Sequence, residues 1–279
     1  MMQSLLSKVK KSDIYAEPFP HIIIKDPIDP QLCSELIWYF PPVEIVALGA
    51  PLVSNQRFSY SAKDCLGDIN VNPMWREFVK THVSQSFLNE FTFLFKEHIR
   101  EIYPSLLADM GEEENPKAGI RNVDNFSNAD VLLDAQISIN TPVSGRPSSV
   151  RGGHIDLPNK LFAGLYYLRH PEDKSTGGDL EIYGFKNHHE RRFKGQFIDD
   201  KHIELVKTVK YQSNVLVLFL NSIKSLHGVT VRSVTPEPRL FLNIVGEVNR
   251  PLFNIEDYQI LKTRSKNWFG TLLNRNMKL

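Results

Sequence analysis

Residues 215–248 read VLVLFLNSIKSLHGVTVRSVTPEPRLFLNIVGEV, and their pattern sets the architecture. Two apolar runs, Val215–Leu220 and Arg239–Val248, are too short for buried helices and are bounded by Asn, Ser, Gly and Pro, so both read as strands. Between them His227–Val234 has the β-branched character of a third. Working backwards, the same pattern recurs at Val131–Asn140, Leu161–Leu168, Asp179–Tyr183 and Ile203–Tyr211, with turn residues between. No helical period interrupts them. Short strands in succession predict an antiparallel sandwich or barrel of the jelly-roll type, a double-stranded β-helix, making the chain mainly β (α+β).

Ahead of these strands the pattern changes. Ile22-Ile23-Ile24, with prolines at 18, 20 and 27, predicts a strand inside Tyr15–Lys25. Asp29 is a candidate cap and Pro30 fits a first helical turn; Leu32, Leu36, Ile37 and Phe40 follow at helical spacing before Pro41-Pro42. From Pro73 a longer helical stretch carries Phe78, His82, Phe87, Phe91, Leu94, Phe95 and Ile99 on one aromatic face. These N-terminal helices are expected to pack on one face of the sheet. Residues 111–128, GEEENPKAGIRNVDNFSN, are polar and turn-rich and mark an organisational boundary. The expected layout is one catalytic domain over 1–279: an N-terminal strand and helices (1–128), a jelly-roll core (129–250) and a tail (251–279) ending in a helix.

The chain has 279 residues and 42% hydrophobic content, enough for one sizeable core. Lys plus Arg number 33 against 32 for Asp plus Glu, so no overall field favours nucleic acid or a membrane surface. Cys33 and Cys65 are too few for a disulfide framework and lack zinc-site spacing. The opening MMQSLLSKVKKSD has no apolar signal core, and no stretch approaches the roughly 20 apolar residues of a membrane span. A cytoplasmic protein is expected.

His154 and Asp156 stand two apart in RGGHIDLP (151–158), so on an extended chain both point to one side. Alone, such a tripeptide is weak. His227, in SLHGVTV (225–231), lies on a later strand that a jelly roll can bring to the same pocket. Two histidines and a carboxylate leave three positions open on an iron ion, room for a co-substrate and O₂. Read singly, His227 has the plainer reading of a hydrogen-bonded core or rim histidine. Arg239, in PEPRLFLNIV (236–245), is a lone guanidinium among apolar residues; it calls for a bound carboxylate, a salt bridge to an acid such as Glu247, or a strand end in solvent.

The order His154-X-Asp156, LYYL (165–168), GGDLEIY (177–183), the apolar strand ending at Leu220, His227 and Arg239 resembles the 2-oxoglutarate oxygenases of the prolyl-hydroxylase-like superfamily. The resemblance covers about Val131 to Val248, and PFPHIIIKDPIDPQLCSEL (18–36) is similar to the opening of such proteins. It implies Fe(II) held by His154, Asp156 and His227, with 2-oxoglutarate and O₂ as co-substrates and ascorbate as an auxiliary reductant. The implied reaction couples decarboxylation to succinate and CO₂ with hydroxylation of a small molecule or protein residue. It further assigns Arg239 to the far carboxylate of 2-oxoglutarate and Tyr167 to the same group. Asn243, four residues after Arg239 on the same strand face, can add a hydrogen bond; strand packing explains Tyr167 equally well, and a structural role is the plainer reading of Asn243.

The interval from His227 to Arg239 exceeds the commonest family spacing, which makes Arg232 a rival anchor. Asp156 argues against halogenation, because halogenating relatives carry a small residue there. A non-catalytic jelly roll that binds metal or sugar, and a zinc hydrolase on the same ligands, are the alternatives; the second lacks an identifiable general base. Gly177-Gly178 reads as a turn. His188, His189 and His202, around the charged loop HHERRFKGQF (188–197), form a second histidine group whose plainer reading is a solvated loop. The basic tail over 262–278 reads as a docked helix or a surface-binding segment.

Overall fold

Strand β12 (Arg239–Glu247) is buried along its whole length, and its side chains sort by parity. Leu240, Leu242 and Ile244 enter the larger core, while Phe241 and Val245 enter a second one on the opposite face. The computed structural model describes residues 2–110, 115–186 and 191–259. Within them β1 (His21–Lys25), β2 (Arg57–Tyr60), β3 (Ala118–Ile120), β4 (Val131–Asn140), β5 (Lys160–Tyr167), β10 (Val215–Leu220) and β12 form one seven-stranded sheet. Its order is β1-β10-β5-β12-β4-β2, with β3 beside β4. All pairs are antiparallel except β3 with β4, which is parallel.

Helices cover one face of this sheet. They are α1 (Pro30–Trp38), α2 (Val43–Val46), α3 (Ala62–Gly67), α4 (Pro73–His82) and α5 (Gln85–Ile102). Asp29 caps α1 by accepting from the Gln31 and Leu32 N–H groups. Asn72 caps α4 with Pro73 at its first position. The aromatic face packs as its spacing predicts: Phe91 meets Phe162 of β5 at 4.1 Å between ring centroids, and Phe78 meets Tyr166 at 6.0 Å. The expected continuous helix from Pro73 is in fact two. The chain breaks at Val83-Ser84, where the Ser84 hydroxyl accepts from the Phe87 N–H, so a cap interrupts an unbroken aromatic period.

The other face of the sheet opposes a smaller three-stranded sheet, ordered β11 (His227–Val229), β6 (Leu180–Phe185), β9 (Ile203–Val209), and a hairpin of β7 (Phe193–Lys194) and β8 (Phe197–Ile198). Apolar side chains on both faces of β10 explain why VLVLFL is continuous rather than alternating. The result is the expected mainly β jelly roll with helices on one outer face. The anticipated strand His227–Val234 stops at Val229, after which Val231 and Val234 are exposed. The turn-rich segment 111–128 contains β3, too short to show a period. No helix among the described residues is long and apolar enough to cross a membrane. The terminal helix expected in the tail, the basic segment 262–278, and His188 and His189 lie outside the described residues.

Candidate metal centre and its cavity

Between the two sheets lies a cavity of about 580 Å³. The inward-facing residues of β12 and β4 line it, and the parity that buries Leu240 and Ile137 on the helix side turns Arg239, Asn243, Gln136 and Asn140 toward it. His154, Asp156 and His227 stand together on its wall, all buried, with one donor atom from each lying within 4.8 Å of the others. Among the described residues this is the group arranged to hold a metal ion.

The backbone brings the histidines together. His154 N–H donates to His227 O at 2.9 Å and His227 N–H to His154 O at 3.0 Å, joining the 151–158 loop to β11. Each ring is then oriented by its own chain: His154 Nδ1 lies 2.8 Å from Gly152 O and His227 Nδ1 2.9 Å from Ser225 O. A carbonyl only accepts, so in each ring Nδ1 carries the proton and Nε2 keeps its lone pair. Burial drives the pKa of both imidazoles down, and the charge of Arg151 adds to the effect in each. Both are therefore neutral at pH 7, the form that ligates metal. Burial pushes the Asp156 carboxyl up, but the nearby positive charge of Lys160, 3.3 Å away, contributes to a net depression, and it stays ionised.

Arg239 is 2% exposed and, among the described residues, has no acidic partner. Its Nε donates to Gly178 O at 2.8 Å and Nη1 to Asn140 Oδ1 at 3.3 Å, while Nη2 is buried without a partner. Aromatic rings surround it: Tyr167, Tyr211 and Phe241 have centroids 4.8, 4.9 and 5.0 Å from its central carbon. The Tyr167 hydroxyl, also buried, lies against Arg239 and makes no hydrogen bond of good geometry. A buried donor left without an acceptor is costly, and Arg239, which lines the cavity, is open to one there. Glu247, the possible partner for Arg239, pairs instead with Arg121 at 3.2 Å. Asn243 lines the cavity but gives one amide proton to Gln136 Oε1 at 2.8 Å.

Arg232 is placed differently. Its Nη1 is buried without a partner too, but its Nη2 meets Asp173 Oδ2 at 2.9 Å and its Nε donates to Ser175 Oγ at 3.0 Å, so its charge is already neutralised away from the metal-site cavity. Gly177 and Gly178, both at positive φ, form the turn that presents the Gly178 carbonyl to Arg239. His202 is buried in its own surroundings and belongs to no metal-holding group among the described residues.

The donor set passes a chemical test for Fe(II): two imidazole nitrogens and one carboxylate with coordination positions left over. The Arg239 and Tyr167 donors suit the far carboxylate of a dicarboxylic acid. No family model matches the chain, and no curated protein matches it in sequence. Among solved structures it is similar to prolyl 4-hydroxylases from Phytophthora capsici, with a TM-score of 0.51 at 17% identity over 96% of this chain and 74% of that one. The chain has the prolyl 4-hydroxylase fold. A Pseudomonas putida prolyl-4-hydroxylase matches at a TM-score of 0.42, 12% identity, 82% of this chain and 93% of that one. The epimerase SnoN from nogalamycin biosynthesis matches at 0.46, 12% identity, 87% of this chain and 83% of that one.

On this fold, sequence reasoning missed several cavity residues. Arg57, Asn140, Arg151 and Lys160 line the wall beside the expected ones. Register supplies the reason for two of them, because Arg57 pairs with Asn140 and Asn140 with Arg239 across β2, β4 and β12. Strand β2 is only RFSY, too short to show alternation.

Proposed function

We propose that the protein is an Fe(II)- and 2-oxoglutarate-dependent oxygenase in which His154, Asp156 and His227 hold iron and Arg239 anchors the far carboxylate of 2-oxoglutarate. The observation that carries this reading is the unpartnered Nη2 of Arg239, buried in the cavity that holds the His-Asp-His group. A metal-binding or sugar-binding jelly roll has no use for a buried cation awaiting a carboxylate.

When bound, iron and 2-oxoglutarate supply the oxidising power, with O₂ consumed, succinate and CO₂ released and a C–H bond hydroxylated. The protein's own part is to bind and orient. The Gly152 and Ser225 carbonyls fix the imidazole tautomers, so ligation needs no proton release from either ring. Lys160 keeps Asp156 ionised. The Arg239 fork offers a charged N–H edge, Tyr167 adds a hydroxyl, and the surrounding rings exclude water so that this ion pair is strong. Asn243 adds a polar contact on the same wall, and ascorbate would serve as the reductant that keeps iron ferrous.

The substrate is a small molecule or a protein residue; no nucleic acid partner is proposed. We read residues 1–279 as one catalytic unit, because β1 and β2 from the N-terminal part complete the sheet that carries the site. Two free, buried cysteines fit a reducing, cytoplasmic setting. The test is anaerobic titration of the Fe(II) protein with 2-oxoglutarate. A visible charge-transfer absorption requiring both components is expected; its absence in the wild type would overturn the assignment.

A further inference from the structure

Four other cations share the cavity wall with Arg239, and two of them lack an anion among the described residues. Lys160 faces Asp156 at 3.3 Å. Arg121 bridges Glu247 at 3.2 Å and Asp134 at 3.6 Å. Arg57 and Arg151 remain, and among the described residues neither has a carboxylate within ion-pair distance.

Both guanidinium groups are nevertheless positioned. Arg57 lies over the Phe241 ring at 5.1 Å and Arg151 over Phe197 at 5.5 Å. Stacking of this kind fixes the plane of a guanidinium and leaves its N–H edge free for an oxyanion. Solvent reaches Arg57, so it is not a core arginine. Protein still crowds it: burial lowers its pKa from 12.5 to about 10, partly opposed by Asp156, with Arg239 and Arg151 adding repulsion. Three like charges on one wall, against a carboxylate reserved by Lys160, favour an incoming anion.

We propose that Arg57 and Arg151 recognise an anionic group on the primary substrate, a carboxylate or a phosphate monoester, and so orient the carbon to be oxidised a few bonds from that group. The inference rests on the oxygenase reading of this cavity. Leu157 and Phe197, both exposed and both on the cavity wall, offer an apolar flank for the body of such an acid. Arg57 is reserved for the substrate because 2-oxoglutarate has only two carboxylates, one for the metal and one for Arg239. Its strand also stands two removed from that of Arg239, with Asn140 between.

The experiment loads the protein with Mn(II), inert to turnover, and saturating 2-oxoglutarate. The probes are the proton line of acetate and the phosphorus line of methyl phosphate, with acetamide as the neutral control. Paramagnetic broadening of at least one anion but not of acetamide is expected. Acetate alone would make the substrate a carboxylate and methyl phosphate alone a phosphate. Arg57→Gln and Arg151→Gln should each weaken that anion about tenfold, the scale of one charge-assisted hydrogen bond, while Arg57→Lys retains most of the effect. Circular dichroism checks that each variant is folded. Broadening that is absent in the wild type, or unchanged in both Gln variants, overturns the proposal. So does an Arg57→Gln variant that loses 2-oxoglutarate as severely as Arg239→Ala, which would make Arg57 a second anchor for the oxo acid. A wild type that binds no Mn(II) would instead sink the oxygenase reading, and this inference with it.

Discussion

His154 and His227 are locked to each other through their backbones, each N–H donating to the other's carbonyl at 2.9 and 3.0 Å. The two rings, 4.2 Å apart between centroids, are therefore set by a main-chain pairing that survives loss of either side chain. His154→Ala and His227→Ala should fold, yet lose more metal affinity than the roughly 10- to 100-fold that removal of a supporting hydrogen bond costs. Mn(II) binding followed by electron paramagnetic resonance, alongside a thermal melt, checks both halves. Retained binding in either variant would remove that residue from the site.

Arg239 and Arg232 separate binding from stability. Arg239→Ala should weaken 2-oxoglutarate by at least about tenfold, the charge-assisted bonds being worth roughly 1.5–3 kcal/mol, with little change in metal binding. Arg232→Ala should leave 2-oxoglutarate binding near normal but cost up to about 3 kcal/mol of stability, because it strips Asp173 of its shortest ion pair. Asp173 keeps Arg169 at 3.6 Å, which limits the loss. Ligand titration and denaturant melts of the two variants would show the reverse ranking if Arg232 were the anchor.

Gly177 couples the turn to the anchor. A Cβ there would lie 1.8 Å from Val231 O, and φ is +76°, so Gly177→Ala must shift the turn that aims Gly178 O at Arg239. Lower thermal stability together with weaker 2-oxoglutarate binding is expected. Weaker stability with unaltered binding would show that the turn does not position Arg239.

His82 makes the N-terminal packing acid-sensitive. Burial lowers its pKa from 6.5 to about 4, against a smaller opposing effect of its bond to Phe78 O, and its Nε2 accepts from the Leu5 N–H at 3.0 Å. Between pH 6.5 and about 4 the unfolded chain binds a proton at this position that the native protein refuses. Stability should therefore fall as pH drops through that window, by about 3 kcal/mol from this group, and the loss should level off below it. His82→Phe should be less stable at pH 7.5 but show a shallower decline toward pH 4.5. Parallel wild-type and variant pH profiles would contradict this.

The large strands were legible because their apolar runs and parity are local properties: Val131–Asn140 and Val215–Leu220 carry their ends in the sequence. The pairs β7 and β8, at two residues each, have no period to read. The α4–α5 break was hidden because the aromatic spacing runs straight across Ser84. At the site, His154 and Asp156 were legible from a two-residue spacing. Arg57 and Arg151 were not, because what distinguishes them is a missing counter-ion, and that depends on distant segments brought together by the fold.

The most direct test is succinate formation from 2-oxoglutarate by anaerobically purified protein given Fe(II), ascorbate and air, with His227→Ala alongside. We expect succinate from the wild type, slow without substrate, and none above background from the variant. Equal succinate from both, or none from a wild-type protein with iron bound, would contradict the assignment of this cavity as an oxygenase active site.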